Sequence, residues 1–149
     1  TREKTNQIYN SKEKFPLGKL KVVKMSKNDK VLVIGAGITV HEAIKAYEIL
    51  NKKNISIRVI DLYSLNPIDK NALIKNAKES GNKIIVVEDH YVNGVGSVVA
   101  DVFLESEEKI SYHHLYVKKI PRSGKPLDLL KFEGIDANSI VKEVVKIIK

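Results

Sequence analysis

The sequence predicts an α/β domain of three layers, in which helices cover both faces of a mostly parallel sheet of about five strands. Two observations carry this prediction. Short continuous apolar runs, such as residues 31–34 and 84–87, are typical of strands that are buried on both faces. Segments with apolar residues at helical spacing separate these runs, and regular alternation of strands and helices favours a parallel sheet. The length of 149 residues suits one domain.

The predicted strands follow one another along most of the chain. Lysines alternate with apolar residues over 19–24, which predicts an edge strand. Residues 1–18 are polar and contain Pro16 and Gly18, so we predict a linker or arm there and the folded domain over 19–149. The core strands are predicted at 31–34, 55–60, 84–87 and 114–119.

Candidate N-cap residues and turn residues predict where the helices begin and end. Thr39 is a candidate N-cap of the first helix, and Glu42 three residues later completes a capping box. Pro67 predicts the start of a second helix that runs to about Glu79. The other helices are predicted after Gly96 and at about 127–131 and 137–148, where apolar residues recur at helical spacing.

Composition excludes several classes of site and partner. The chain has no cysteine, which excludes a disulfide framework, a thiolate zinc site and a cysteine nucleophile. The net charge is +8, yet only three of the 26 basic residues are arginines and the lysines are scattered, so we expect no nucleic-acid binding. No apolar run of about 18 residues occurs, and we expect no membrane span. The start shows no signal-peptide pattern, so we expect a cytoplasmic protein.

A glycine turn follows the first core strand. Gly35, Ala36 and Gly37 lie between a strand and a helix, where a nucleotide pyrophosphate could bind the helix N-terminus. The dinucleotide fingerprint needs a third glycine where this chain has Val40, so packing of the helix onto the sheet is the favoured interpretation. Gly35, Gly37 and Thr39 are kept as candidates for an anion site or an interface.

A second group of candidates ends another core strand. Glu88, Asp89 and His90 come directly after residues 84–87, at the edge where open α/β sheets bind ligands. A carboxylate beside a histidine could support acid–base chemistry, but no nucleophile accompanies the pair. We favour hydrogen bonding to neighbouring loops or a subunit interface for these residues. Arg122, in a loop, is a candidate anion-binding or interface residue.

No catalytic residue and no metal site are expected within this chain. His113 and His114 are adjacent in a predicted strand, and successive side chains of a strand point to opposite faces of the sheet. The two imidazoles therefore cannot easily share one metal ion.

Five short segments occur in a fixed order along the chain. They are VIGAGITVHEA at 33–43, IRVIDL at 57–62, VVEDHY at 86–91, IPRSGKP at 120–126 and FEGID at 132–136. In order and spacing they resemble the C-terminal domain of transketolases, most closely the animal-type branch. The IPRSGKP segment favours transketolases over two related groups, the pyruvate dehydrogenase β subunits and the deoxyxylulose-phosphate synthases.

The resemblance implies a function for the complete enzyme and a supporting role for this chain. Transketolases transfer a two-carbon ketol unit between sugar phosphates, with thiamine diphosphate and a divalent metal, usually Mg²⁺. The family binds its cofactor between a pyrophosphate-binding and a pyrimidine-binding domain, across a homodimer interface. We therefore expect a scaffold and dimer-interface domain whose partners are the other transketolase domains, with no cofactor of its own and no activity alone.

One substrate contact is also implied by the resemblance. Thr1 and Arg2, followed by Tyr9, resemble a family segment with a Ser-Arg pair whose arginine binds the substrate phosphate. A guanidinium group suits a phosphate dianion. Because the chain opens on Thr1, we expect it to be a piece of something longer. Two alternatives stay open: a stand-alone nucleotide- or anion-binding domain that uses the turn at 35–39, and the C-terminal chain of a split transketolase.

Overall fold

A computed structural model describes residues 5–149, and over this range it contains one five-stranded sheet. The strands are β1 (Lys21–Lys24), β2 (Leu32–Gly35), β3 (Arg58–Asp61), β4 (Lys83–Val87) and β5 (Ser111–Leu115). They lie in the order β1-β3-β2-β4-β5. The pairs β3–β2, β2–β4 and β4–β5 are parallel, and β1 lies antiparallel to β3 at one edge. The predicted mostly parallel sheet and its edge strand are confirmed.

Helices cover both faces of this sheet. They are α1 (Ile38–Asn51), α2 (Lys70–Lys78), α3 (Val95–Leu104), α4 (Pro126–Glu133) and α5 (Ala137–Ile147). Side chains alternate along β2, so Val33 packs in a core with α1, α4 and α5, whereas Ile34 packs in a second core with α2 and α3. The three-layer prediction is confirmed. Over residues 5–149, every helix is too short or too polar to cross a membrane.

The predicted capping box of α1 is wrong. Gly37, at a φ of 61°, occupies the N-cap position without a side-chain cap bond, and Thr39 lies inside the helix. Glu42 is buried, and its Oε2 accepts a hydrogen bond from the backbone N–H of Ala137 at 2.9 Å. Glu42 therefore binds the first turn of α5 instead of its own helix, because α5 covers the face of α1 that carries it.

Three predicted element boundaries are also wrong, and one of them is the start of the strand predicted at 55–60, which begins at Arg58. The second helix starts after Asp69, whose side chain accepts a hydrogen bond from the N–H of Ala72 at 3.1 Å, while Pro67 follows a cis peptide bond in the preceding turn. The last strand is Ser111–Leu115 rather than 114–119, and each of its residues is paired with a residue of β4. This strand consists mainly of polar and aromatic residues, so it lacks the apolar run that is typical of the other core strands.

Part of the predicted arm packs against the edge of the sheet. Tyr9 donates a hydrogen bond from its hydroxyl to Asp61 Oδ2 at 2.8 Å. The ring of Phe15 makes edge-to-face contacts with Tyr9 and Tyr63, each with ring centres 5.0 Å apart. Burial raises the pKa of Asp61, and burial together with the Asp61 carboxyl raises the pKa of Tyr9. Residues 9–15 are thereby fixed to the carboxyl end of β3.

A buried arginine links β3 to the elements beside it. Arg58 is 5% exposed, and its Nε lies 3.1 Å from Oδ2 of the buried Asp29. Its Nη1 donates to Asn76 Oδ1 on α2 at 2.7 Å and also pairs with Glu79, which is partly exposed. A charge in this position is stable only while its hydrogen-bonding partners are present.

We expect Arg58→Ala to lower the free energy of unfolding by about 3–5 kcal/mol, because Asp29 would stay buried without its cation. Urea denaturation measures this change. The matched control is Lys53→Ala, which removes an exposed cation and should change stability by less than about 0.5 kcal/mol. Equal stability of the two variants would contradict this account of the Arg58 network.

Candidate functional site

The carboxyl ends of the parallel strands form the candidate site. β2, β4 and β5 are adjacent in the sheet and end at Gly35, Val87 and Leu115. Ligands of open α/β sheets bind outside these ends. Gly35 is the last residue of β2, and the other predicted candidates within the described residues lie in the segments that follow these strands, whereas Arg2 lies outside the described residues.

Glu88 is 2% exposed, and its carboxylate is fully engaged within the fold. Oε2 accepts a hydrogen bond from the N–H of Val95 at 2.6 Å, and Oε1 accepts one from the N–H of Gly96 at 3.1 Å. His114 Nε2 lies 2.6 Å from Oε1. Because these amides begin α3, the carboxylate satisfies N–H groups that have no partner within the helix. Glu88 therefore holds α3 against the end of β4.

Two glycines make this arrangement possible. A Cβ atom on Gly94 would overlap the carboxylate of Glu88, and one on Gly96 would overlap the imidazole of His114. Sequence reasoning missed His114 as the partner of Glu88, although the Gly-x-Gly spacing at the start of α3 was a usable signal of close approach. His113 points the other way, with Nδ1 2.7 Å from Glu143 Oε1 on α5, so the prediction of opposite faces is confirmed.

The glycine turn after β2 is used for packing. A Cβ atom on Gly35 would lie 3.0 Å from the carbonyl carbon of Thr39 and from the nitrogen of Val40, so glycine lets α1 approach the strand closely. Thr39 Oγ1 accepts from the N–H of Ala36 at 3.0 Å and donates to the carbonyl of Val87 at 2.8 Å. The amide of Ala36 in this turn therefore already has a partner.

Asp89, His90 and Arg122 line one cleft of about 280 Å³. Asp89 and His90 follow β4, Arg122 follows β5, and all three are exposed. The guanidinium carbon of Arg122 lies 4.7 Å from the centre of the Phe132 ring. Over residues 5–149, no carboxylate pairs with Arg122. The structure thus brings together three candidates that are up to 33 positions apart in the sequence, and the turn at 35–39 does not line their cleft.

The family model described as transketolase, C-terminal domain, matches residues 18–140. The chain belongs to this family. The resemblance seen in the five sequence segments is thereby confirmed, and the glycine turn after β2 and the glycines at the start of α3 lie within the matched residues.

Curated relatives of this transketolase domain are much longer than the chain. It is 46% identical over 148 residues to transketolase-like protein 1 of Bos taurus, and this alignment covers 99% of the chain and 25% of that protein. It is 45% identical over 138 residues to transketolase of Homo sapiens, and this alignment covers 92% of the chain and 22% of that protein. The chain spans about a quarter of the length of the curated relatives it matches.

Solved transketolase structures share the fold. A protein described as a split gene transketolase, inactive beta4 tetramer, superposes with a TM-score of 0.83 at 29% identity, over 95% of this chain and 45% of that chain. The transketolase of Campylobacter jejuni superposes with a TM-score of 0.65 over 87% of this chain and 18% of that chain. At 15% identity the second likeness shows the fold alone.

The described residues do not fit the thiamine diphosphate and Mg²⁺ that the family implies. Over residues 5–149, no three His, Cys, Asp or Glu side chains come close enough to hold a metal ion. The buried carboxylate at the strand ends, Glu88, is bonded to α3 and His114, and the turn amide of Ala36 is bonded to Thr39. We assign no step of the reaction to these residues.

We expect Glu88→Gln to lower the free energy of unfolding by roughly 1.5–3 kcal/mol, because an amide offers only one acceptor oxygen to the N-terminus of α3 and carries no charge. Thermal or urea unfolding measures the loss. Glu107→Gln is the control, since that side chain is exposed on the chain segment after α3. If Glu88→Gln were as stable as the control, Glu88 would not hold α3 in place.

Proposed function

We propose that this chain is the scaffold and dimer-interface domain of a transketolase, an enzyme that transfers a two-carbon ketol unit between sugar phosphates with thiamine diphosphate and Mg²⁺. The observation that carries the proposal is the share of each sequence that the alignment with transketolases covers. Nearly all of the chain, 92%, matches only 22% of the human transketolase. In this proposal the cofactor is bound by the pyrophosphate- and pyrimidine-binding domains of a homodimer, and this domain braces the second of them.

Exposed apolar side chains support an interface role. Tyr91 and Val92, on the loop after β4, are 53% and 46% exposed, and Ile120, on the loop after β5, is 87% exposed. Near the antiparallel edge, Leu17 and Met25 are also exposed. Apolar side chains grouped at one edge of a domain are typical of surfaces that contact other protein. In the proposed enzyme, the edge with Tyr91 and Ile120 contacts a neighbouring domain or subunit.

A second candidate is the C-terminal chain of a split transketolase, which would act with a separately encoded partner. It is favoured by the likeness to the split gene transketolase, which covers 95% of this chain at 29% identity. A stand-alone nucleotide- or anion-binding domain is supported less well, because the Ala36 amide in the turn already bonds Thr39.

The chain alone, supplied with thiamine diphosphate, Mg²⁺ and sugar phosphates, is expected to show no ketol transfer, because the cofactor pocket lies in other domains. A coupled assay of sugar-phosphate formation measures this. Addition of the remaining transketolase domains as a second polypeptide should restore activity if the chain docks onto them. Measurable turnover by the chain alone would overturn the proposal.

In the complete enzyme, Arg2→Ala should raise the Michaelis constant for phosphorylated substrates, because it removes a charged hydrogen bond worth roughly 1.5–3 kcal/mol. Steady-state kinetics with a phosphorylated and a non-phosphorylated acceptor measure the difference. The non-phosphorylated acceptor should be affected little. Lys12→Ala, an exposed change in the same arm, is the control. An unchanged constant for the phosphorylated acceptor would remove Arg2 from the site.

A further inference from the structure

The cleft that contains Arg122 has an apolar floor. Leu130 and Ile135 line it and are 9% and 2% exposed, and Val117 lines it from the segment after β5. Its volume of about 280 Å³ lies just below the usual range of small-molecule sites, which starts at about 300 Å³. The floor therefore suits the apolar part of a small molecule better than a sugar or a free phosphate.

Three charged residues line the cleft, Asp89, Arg122 and Glu133, and neither carboxylate pairs with Arg122. Arg122 lies on the loop after β5 and Glu133 ends α4, and their charged atoms are not within salt-bridge distance. Glu133 Oε2 accepts hydrogen bonds from the N–H groups of Lys118 and Lys119 at 3.3 and 3.2 Å. Glu133 Oε1 is buried and has no hydrogen-bond partner in the described residues. A buried carboxylate oxygen without a donor is costly, so its position needs an explanation.

We propose that this cleft binds a free α-amino acid with an apolar or aromatic side chain. Its ammonium group would donate to Glu133, its carboxylate would accept from the guanidinium of Arg122, and its side chain would lie against Leu130 and Ile135. The terminal torsion of a glutamate side chain is soft, so a small rotation turns Oε1 towards a ligand. Both charges of a zwitterion are then paired.

Other small molecules match these groups less well. An apolar carboxylic acid without an amine leaves Glu133 unpaired, and an apolar amine without a carboxylate leaves Arg122 unpaired. Glycine carries both charges but buries no apolar surface on the floor of the cleft. Affinity therefore depends on three groups of one ligand together. The site is separate from the Arg2 contact, so its test does not depend on ketol transfer.

Calorimetric titration of the 149-residue chain tests the proposal with defined probes. L-phenylalanine and L-leucine should bind with one site per chain and a dissociation constant below about 1 mM, as expected for ligands of this size. Binding of 3-phenylpropionate, phenethylamine and glycine should each be at least about tenfold weaker, since each lacks one of the three groups. Absence of binding by both amino acids up to about 10 mM would overturn the proposal. Equal binding of L-phenylalanine and 3-phenylpropionate would overturn it too.

Two substitutions locate the site. Arg122→Ala and Glu133→Gln should each weaken binding of L-phenylalanine by about tenfold or more, since each removes one charged hydrogen bond. Lys125→Ala is the matched control, because it removes a cation from the same loop without changing the cleft lining, and it should bind like the unchanged chain. Arg122 is exposed, so its variant should fold, which circular dichroism checks. Unchanged affinity of Arg122→Ala would contradict the assignment even if Glu133→Gln failed to fold.

Discussion

The burial of the parallel sheet on both faces is the constraint from which the other features follow. Strands β2 and β4 are covered by helices on each side, so the helices must begin close to the strand ends. The first N–H groups of a helix have no partner within it, and burying them requires acceptors from elsewhere. The buried carboxylate of Glu88 accepts hydrogen bonds from the first N–H groups of α3, and the buried carboxylate of Glu42 accepts one from the first N–H group of α5.

This constraint explains why the polar residues at the strand ends serve the fold. Glu88 and Thr39 are the buried polar residues among the predicted candidates at this edge, and they form hydrogen bonds with α3, His114, Ala36 and Val87. The exposed candidates Asp89, His90 and Arg122 lie on the loops that follow β4 and β5. The domain matches about a quarter of the length of the transketolases it resembles.

Local patterns predicted the layers of the fold but not the partners of its charged groups. The apolar runs at 31–34 and 84–87 indicated buried strands, because burial on both faces removes polar residues from every position. Glu42 was placed in a local cap because its partner Ala137 is 95 positions away along the chain. The strand Ser111–Leu115 was misplaced because its histidines bind Glu88 and Glu143, so it lacks an apolar run.

The candidate site was predictable only in part. The segments after the strands indicated the correct edge, since parallel strands end together. The grouping of Asp89, His90 and Arg122 depends on how two loops fold over the ends of β4 and β5, which periodicity does not specify. The buried and unpaired Oε1 of Glu133 has no sequence signal, because the burial of a single side-chain atom depends on tertiary packing.

We propose as the central claim that this chain supports a cofactor site built by other domains, since its buried strand-end groups Glu88 and Thr39 are hydrogen-bonded within the fold. Calorimetric titration of thiamine diphosphate with Mg²⁺ into the chain tests it most directly. We predict no saturable binding by the chain. Binding at micromolar concentration would contradict the account.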